Sequence, residues 1–335
     1  MKPIPPEIYL YNALEIILIA TLIVGGMFLF TFASRQLLRR RKYGLEFSLL
    51  FPGALGLLLM SAIPILYEFY LALTNMTSLV TNGKDYFLDP DVGLGIFWGH
   101  LSELFGGPWF ILALSNNLVY AILQVFGHTV LALLFAQLLN RPLKGKGVYR
   151  ALLTLPWVIP SLATLMAWQN ELHWEYGIFN IILRGLQLSP IHWWDGGFWG
   201  GVVANGLVLW YSYPFLFMVV TGALESVPQE YHEAAEVDGA GGGWRFFHIT
   251  LPMIQPVLGP ALVLDFIWTF NNANPSLKIP GAPLTMTSYV FNAFTQTPVK
   301  FGLAAAFALV VFVFLLIFSM LAHRWFASPN PQENK

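Results

Sequence analysis

Two stretches of this chain place hydrogen-bonding side chains inside runs that are otherwise apolar. The first holds Asn205 and then Trp210-Tyr211-Ser212-Tyr213-Pro214-Phe215; the second holds Asp265, Trp268 and Phe270-Asn271-Asn272. Aromatic rings beside amides and hydroxyls are the side chains a sugar needs. Rings cover its C–H faces, while fixed donors and acceptors replace water at its hydroxyls. Asp265 admits three roles, as acceptor for a sugar hydroxyl, as salt-bridged structural acid or as proton carrier, because a carboxylate at membrane depth marks function by default. A third stretch sets Asn117, Gln124 and His128 at spacings of seven and four, on one helical face. Unpaired polar groups are expensive at that depth, so interhelical hydrogen bonding is the first expectation there and a transport role the second. A metal at His128 is disfavoured, since no second histidine or carboxylate stands at ligand spacing.

Catalysis is not indicated. No G-x-x-x-x-G-K-[S/T] occurs, and the nearest look-alike, Lys144-Gly145-Lys146-Gly147, lacks both the spacing and the hydroxyl, so ATP hydrolysis by this chain alone is not expected. The histidines are dispersed over separate segments, and zero cysteines exclude disulfides, thiol catalysis and cysteine metal sites.

The elements that must position these residues follow from composition. The 335 residues are 56% hydrophobic and 10% charged, with mean hydropathy +0.62. Soluble domains carry roughly 25% charged residues, so this is a multispanning, all-α membrane protein. The balance of 17 basic against 18 acidic residues argues against nucleic acid as a partner. Seven apolar spans are predicted: 12–34, 47–73, 110–139, 150–170, 198–222, 256–276 and 301–323. The first, whose apolar run is Ala13 to Ala33, is followed by a basic block, as expected of a retained helix rather than a cleaved leader.

Orientation follows from lysine and arginine. Arg35, Arg39, Arg40, Arg41 and Lys42 follow span one; Arg141, Lys144, Lys146 and Arg150 follow span three; Arg245 and Arg324 follow spans five and seven. Opposite loops carry only Lys84, Arg184, Lys278 and Lys300. The positive-inside rule then predicts N-terminus out and C-terminus in, with segment 226–256 on the cytoplasmic side.

The loops are read in the same way. Asn75 to Trp109, with Asp85, Asp89, Asp91 and Glu103, is expected to be a solvated outer loop with an interfacial aromatic belt. His192-Trp193-Trp194-Asp195 is read as a second belt, able also to help meet a binding protein. Span four opens Leu155-Pro156-Trp157-Val158-Ile159-Pro160, whose two prolines predict a kinked helix.

Segment 226–256 is a polar, glycine-studded island between two apolar spans. Its first half reads as a helix of about three turns, with Ser226 as N-cap, Gln229 three residues on, Pro228 in the first turn and Gly239 as the stop. Glu233-Ala234-Ala235 sets one acid beside two small residues, which would let another surface approach closely. Trp244, Arg245, Phe246 and Phe247 follow, and Leu251-Pro252 returns the chain to an apolar span.

The series Glu233, Ala234, Ala235, Asp238, Gly239, Ala240, Phe246, Ile249, Leu251 and Pro252 resembles the EAA loop of binding-protein-dependent ABC importer permeases. The likeness extends to sugar permeases of the maltose and maltodextrin type through Trp168, Gly177, Asn180, Phe270-Asn271-Asn272 and Phe301-Gly302-Leu303-Ala304-Ala305-Ala306. It implies a type I importer permease core with an extra N-terminal helix. The segments would be 1–46 (first helix and basic loop), 47–109 (second helix and outer loop), 110–326 (permease core) and 327–335 (cytoplasmic tail).

In this resemblance the 226–256 loop forms a coupling helix that docks on an ATPase. Glu233 would make the polar contact, Ala234 and Ala235 would allow close packing, and Gly239 would permit the turn. Tyr211, Ser212, Phe215, Asp265, Trp268 and Asn272 would face sugar. ATP and Mg would be held by two partner ATP-binding subunits and no cofactor by this chain. A second, homologous permease, an extracytoplasmic solute-binding protein and membrane lipid complete the expected partners, in a bacterial or archaeal cytoplasmic membrane. Val208 replaces the asparagine of the family's maltose-binding member, and Asn274-Pro275-Ser276-Leu277-Lys278 replaces a glycine-rich stretch, so the resemblance leaves the sugar open. A proton-coupled carrier using Asp265, an ABC permease for a non-sugar solute and a non-transporting scaffold are the competing readings.

Overall fold

A computed structural model describes residues 53–77, 80–81, 84–85, 91–194, 197–272, 284–295 and 299–326, with a few isolated positions nearer the N-terminus. Span 12–34, the basic block after it, Asp89, Asp195, Asn274 to Lys278 and the tail 327–335 lie outside the described residues, apart from isolated helical positions within the first span. The chain divides into two units, 1–70 and 71–335. A helix from Gly53 passes through a π-helical turn, Leu58–Ala62, into α1 (Ile63–Ala72), whose last two residues fall in the second unit.

Among the described residues the second unit is built of helices, with a two-residue antiparallel pair, β1 (Val80–Thr81) with β2 (Lys84–Asp85), and two isolated bridges. In order come α2 (Leu94–Gly106), α3 (Pro108–Leu139), α4 (Lys146–Val158), α5 (Ser161–Glu171), α6 (Ile178–Gly185), α7 (Gly197–Glu225), α8 (Gln229–Val237), α9 (Gly242–Arg245), α10 (Leu251–Phe270), α11 (Met286–Thr295) and α12 (Phe301–Phe326). Among the described residues five helices are long and apolar enough to cross a membrane, and the bent pair α4 and α5 makes a sixth crossing if taken together. These match six of the seven expected spans. The sixth expected span begins earlier than 256, because α9, a π-helical turn at Phe246–Thr250 and α10 form one continuous helical run from Gly242 to Phe270.

The centre of the bundle is α3 against α7, with α10 packed on both. Small residues make this close approach possible: Ala132 and Ala136 of α3, Ala223 of α7 and Ala261 of α10 are all buried beside Phe217, Leu216 and Val220. A second core joins α2, α3, α10, α11 and α12 through Leu104, Phe110, Phe266, Phe270, Met286 and Phe307. The run Ala304-Ala305-Ala306 is wholly buried at the start of α12, and a Cβ on Gly302 would collide with the Thr74 carbonyl oxygen. Close backbone packing is therefore what that sugar-permease-like stretch does here.

Two loops are more ordered than the sequence reading expected. The stretch between spans two and three holds α2, which buries Leu104 and packs on α12, so it is not simply a solvated loop with an aromatic belt. The flanking acids suggested a solvated loop, whereas the segment itself is apolar-rich, LGIFWGHLSELFG, and forms a short helix that lies on an existing span. Before α7, Asn180 is fully buried and organises the α6 region: its Nδ2 donates to the Trp174 and Ile191 carbonyls at 3.1 and 2.9 Å, and its Oδ1 accepts from Ile191 N–H and Trp193 Nε1–H. Gly177 is forced by sterics, since a Cβ there would meet backbone atoms of Glu171 and His173 at 2.5 Å.

Candidate functional site

The predicted kink in span four is a break. Pro160 pushes Ile159 into extended backbone (φ −81°, ψ 130°), and α4 and α5 diverge by 93°. The broken stretch, Trp157 to Ser161, forms one wall of a cavity of about 390 Å³. That size falls within the ~300–1,000 Å³ of small-ligand sites. Irregular backbone at membrane depth is tolerated where it lines a cavity, which is its position here.

The opposite walls come from α7 and α10, and they carry all six residues expected to face sugar. Tyr211, Ser212 and Phe215 line the cavity from one helix, and Asp265, Trp268 and Asn272 from the other and its end. Phe215 and Trp268 meet edge to face with centroids 4.8 Å apart, and Trp268 is 52% exposed, an open aromatic surface. Asn272 Nδ2 donates to the Tyr211 oxygen at 2.8 Å, leaving the phenolic hydrogen free to donate elsewhere. Ser161 and Thr269 add hydroxyls that the sequence reading did not single out. The proline spacing signalled the break, but nothing in the sequence said that it would face α7 and α10.

Behind the cavity the polar face of α3 behaves as expected of interhelical glue. Asn117 Nδ2 donates to Phe270 O at 2.8 Å, and Asn117 Oδ1 accepts from Met286 N–H at 2.8 Å. Gln124 Nε2 donates to the Asn205 backbone and side-chain oxygens at 3.1 and 3.0 Å. His128 Nδ1 stands 2.9 Å from Asp265 Oδ2, both residues being buried. Asp265 thus lines the cavity and is hydrogen-bonded behind it. Among the described residues no group of three or more metal-ligating side chains forms.

The other set of predicted residues lies on α8 and the helical run after it. Ser226 is not the N-cap: its Oγ donates backwards to Ala223 O at 2.7 Å, and Pro228 stands at the cap position with no side-chain bond. The serine still sits on the last turn of α7, where a free carbonyl outcompetes the new helix. Gln229 Nε2 instead donates to Glu233 Oε1 at 2.7 Å. The stop is as expected. Gly239 has φ +82°, and the bonds Ala240 N–H to Ala235 O and Gly239 N–H to Glu236 O close a Schellman turn.

Glu233, Ala234, Asp238 and Gly239 are exposed, whereas Ala235, Ala240, Phe246 and Leu251 are half-buried. Arg245 ties the segments together, its Nη1 donating to Glu236 Oε2 at 2.5 Å and to the His232 carbonyl at 3.3 Å. Pro252 follows directly on the π-helical turn at Phe246–Thr250, inside the continuous run that begins at Gly242. Phe246 and Arg245 line a second cavity of about 470 Å³ with Gln137, Asn140 and His232.

A polytopic bundle with a polar cavity beside a broken helix, and an exposed helical loop joining two of the cavity's walls, defines a membrane transport subunit. Residues 128–328 match the model of the binding-protein-dependent transport system inner membrane component, and the chain belongs to that family. It is a multi-pass inner-membrane permease of ABC importers, a transport component and not an enzyme.

The chain is 32% identical over 214 residues, 60% of its length and 70% of the relative's, to the trehalose/maltose transport system permease protein MalF of Thermococcus litoralis. It is 25% identical over 342 aligned positions, 94% of its length and 77% of the relative's, to the maltodextrin transport system permease protein MdxF of Bacillus subtilis. The fold is similar to that of a chain in the bacterial ABC transporter that imports the acidic polysaccharide alginate. There the TM-score is 0.70 at 19% identity, covering 87% of this chain and 98% of that one.

Proposed function

We propose that this chain is the sugar-translocating permease of an ATP-driven importer. It moves a maltose- or maltodextrin-like oligosaccharide by alternating access between α7, α10 and the broken α4–α5 pair. The observation that supports the reading is the convergence of Tyr211, Ser212, Phe215, Asp265, Trp268 and Asn272 on one cavity. The sugar names of the relatives point the same way. Residues 110–326 make the permease core, with N-terminus out and C-terminus in. Glu233, Ala234, Ala235, Asp238, Gly239, Ala240, Phe246, Leu251 and Pro252 couple it to an ATPase.

The connectivity of this arrangement supports the coupling role. Arg245 bonds α8 to the helical run that carries Asp265 and Trp268, and α8 follows directly on α7, so a displacement of α8 is carried to both sugar-facing helices. Two ATP-binding subunits supply ATP and Mg, a second homologous permease completes the pathway, and a solute-binding protein delivers cargo from outside.

The test is a pull-down from native membrane, repeated for Glu233→Lys, together with uptake under ATP depletion at a maintained proton gradient. An ATPase and a second permease should copurify, the ATPase should be lost in the variant, and uptake should cease without ATP. Recovery of the protein alone, with uptake surviving ATP depletion, would favour a proton-coupled carrier using Asp265.

A further inference from the structure

Asp265 stands within the apolar helix α10, and His128 sits directly behind it. The histidine is fully buried and Asp265 is 3% exposed. An ionised carboxylate only accepts, so the 2.9 Å contact is His128 Nδ1–H donating to Asp265 Oδ2. That bond commits one carboxylate oxygen and the rotamer, and the other oxygen is the one left to meet a ligand in the cavity that Asp265 lines. His128 Nε2 is buried and meets no acceptor among the described residues, so the contact to Asp265 is the side-chain hydrogen bond that orients the ring there. The lining residues include one carboxylate and no lysine, arginine or histidine to offset it.

We infer that His128 is a positioning residue for Asp265, and that the pair makes the cavity a charge filter. Neutral, hydroxyl-bearing sugars donate to the fixed carboxylate and are accepted, whereas sugars carrying a carboxylate are refused. The inference rests on the sugar reading above and refines it from a family of cargoes to a charge class. Physically it needs only that a like charge brought into the cavity meets a group that cannot turn away. Behind Asp265, His128 removes the freedom to turn.

The experiment is equilibrium dialysis of radiolabelled maltotriose, and of the same trisaccharide with one primary alcohol oxidised to a carboxylate, against the complete transporter in nanodiscs. The intact protein should retain the neutral sugar and bind the acid at least ~10-fold more weakly. Asp265→Asn keeps the shape and drops the charge, so the preference should shrink to about 2-fold, a gain for the acid that a misfolded protein cannot give. His128→Leu should weaken maltotriose binding about 5-fold, and His128→Asn, whose Nδ2 lies as many bonds from the backbone as Nδ1, should recover most of it.

Equal binding of the two sugars by the intact protein, or a preference unchanged in Asp265→Asn, overturns the filter and leaves the sugar reading standing. His128→Asn no better than His128→Leu overturns the positioning role. No retention of either sugar refutes the sugar reading, and the inference falls with it.

Discussion

The loop at 226–256 and the walls of the cavity between α7, α10 and the α4–α5 break are built on opposite physical terms. Around the cavity, polar groups are buried and meet partners on other helices: Asn117 with Phe270 and Met286, Gln124 with Asn205, His128 with Asp265. On α8 the polar groups are exposed, and order comes from local devices, namely the Gln229–Glu233 bond, the Schellman turn at Gly239 and the Arg245 tie. Large apolar side chains nevertheless face outward beside them, with Val237 88% and Phe247 63% exposed. A buried network fixes shape within one chain, whereas a locally ordered exposed helix with apolar neighbours is suited to meeting another. Mutations should therefore separate the two regions, function without stability in one and stability in the other.

The largest effect is expected on α8. Glu233→Lys reverses an exposed charge and should lower ATP-dependent uptake at least ~10-fold, while thermal stability stays within the ~0.5 kcal/mol typical of surface changes. Gly239→Asp should likewise uncouple, with a small added cost from placing a side chain at φ +82°. Uptake assays paired with melting curves in detergent check both; normal uptake by either variant contradicts the coupling role.

In the cavity wall the order reverses. Asn117→Leu strands the Met286 N–H, while Phe270 O keeps Thr287 as a donor, so destabilisation of about 1–3 kcal/mol is expected. Tyr213→Phe loses one bond to Leu153 O and should cost about 0.5–1.5 kcal/mol. Denaturant titration that ranks Tyr213→Phe above Asn117→Leu would break the comparison.

The two regions also differed in how far the sequence disclosed them. Gly239 was readable because a left-handed helix stop is a local demand that one residue type meets, and the six helical spans were readable because apolar length is a local demand too. Ser226 failed as a cap because a nearby α7 carbonyl competed for its hydroxyl, which spacing alone does not reveal. The six cavity residues were found through family likeness rather than periodicity, since α7 and α10 are apolar all round and show no polar stripe. The pairing of His128 with Asp265 spans 137 positions and two helices, so no local signal carried it. Order in 94–106 was missed for the same reason: α2 is held by packing on α12, a contact between residues about two hundred positions apart.

His100 lies between these extremes and gives the smallest and sharpest test. It sits on α2, outside the crossing helices, with Nδ1 donating to Ala72 O at 3.2 Å and its ring against the α12 start at Gly302. Burial pushes its pKa down from the ordinary 6.5, and Lys300 adds to that, outweighing the Ala72 bond and Glu103, which act in the opposite direction. A histidine whose folded pKa is depressed binds its proton more readily when unfolded. Its contribution to stability is therefore complete above about pH 6.5 and is lost as pH falls below that value toward the folded pKa. The melting temperature of the intact protein should fall more steeply between pH 7.5 and 5.5 than that of His100→Gln, which keeps a donor for Ala72 O but cannot titrate. Parallel pH profiles for the two proteins would mean that α2 is not held on its neighbours through this ring.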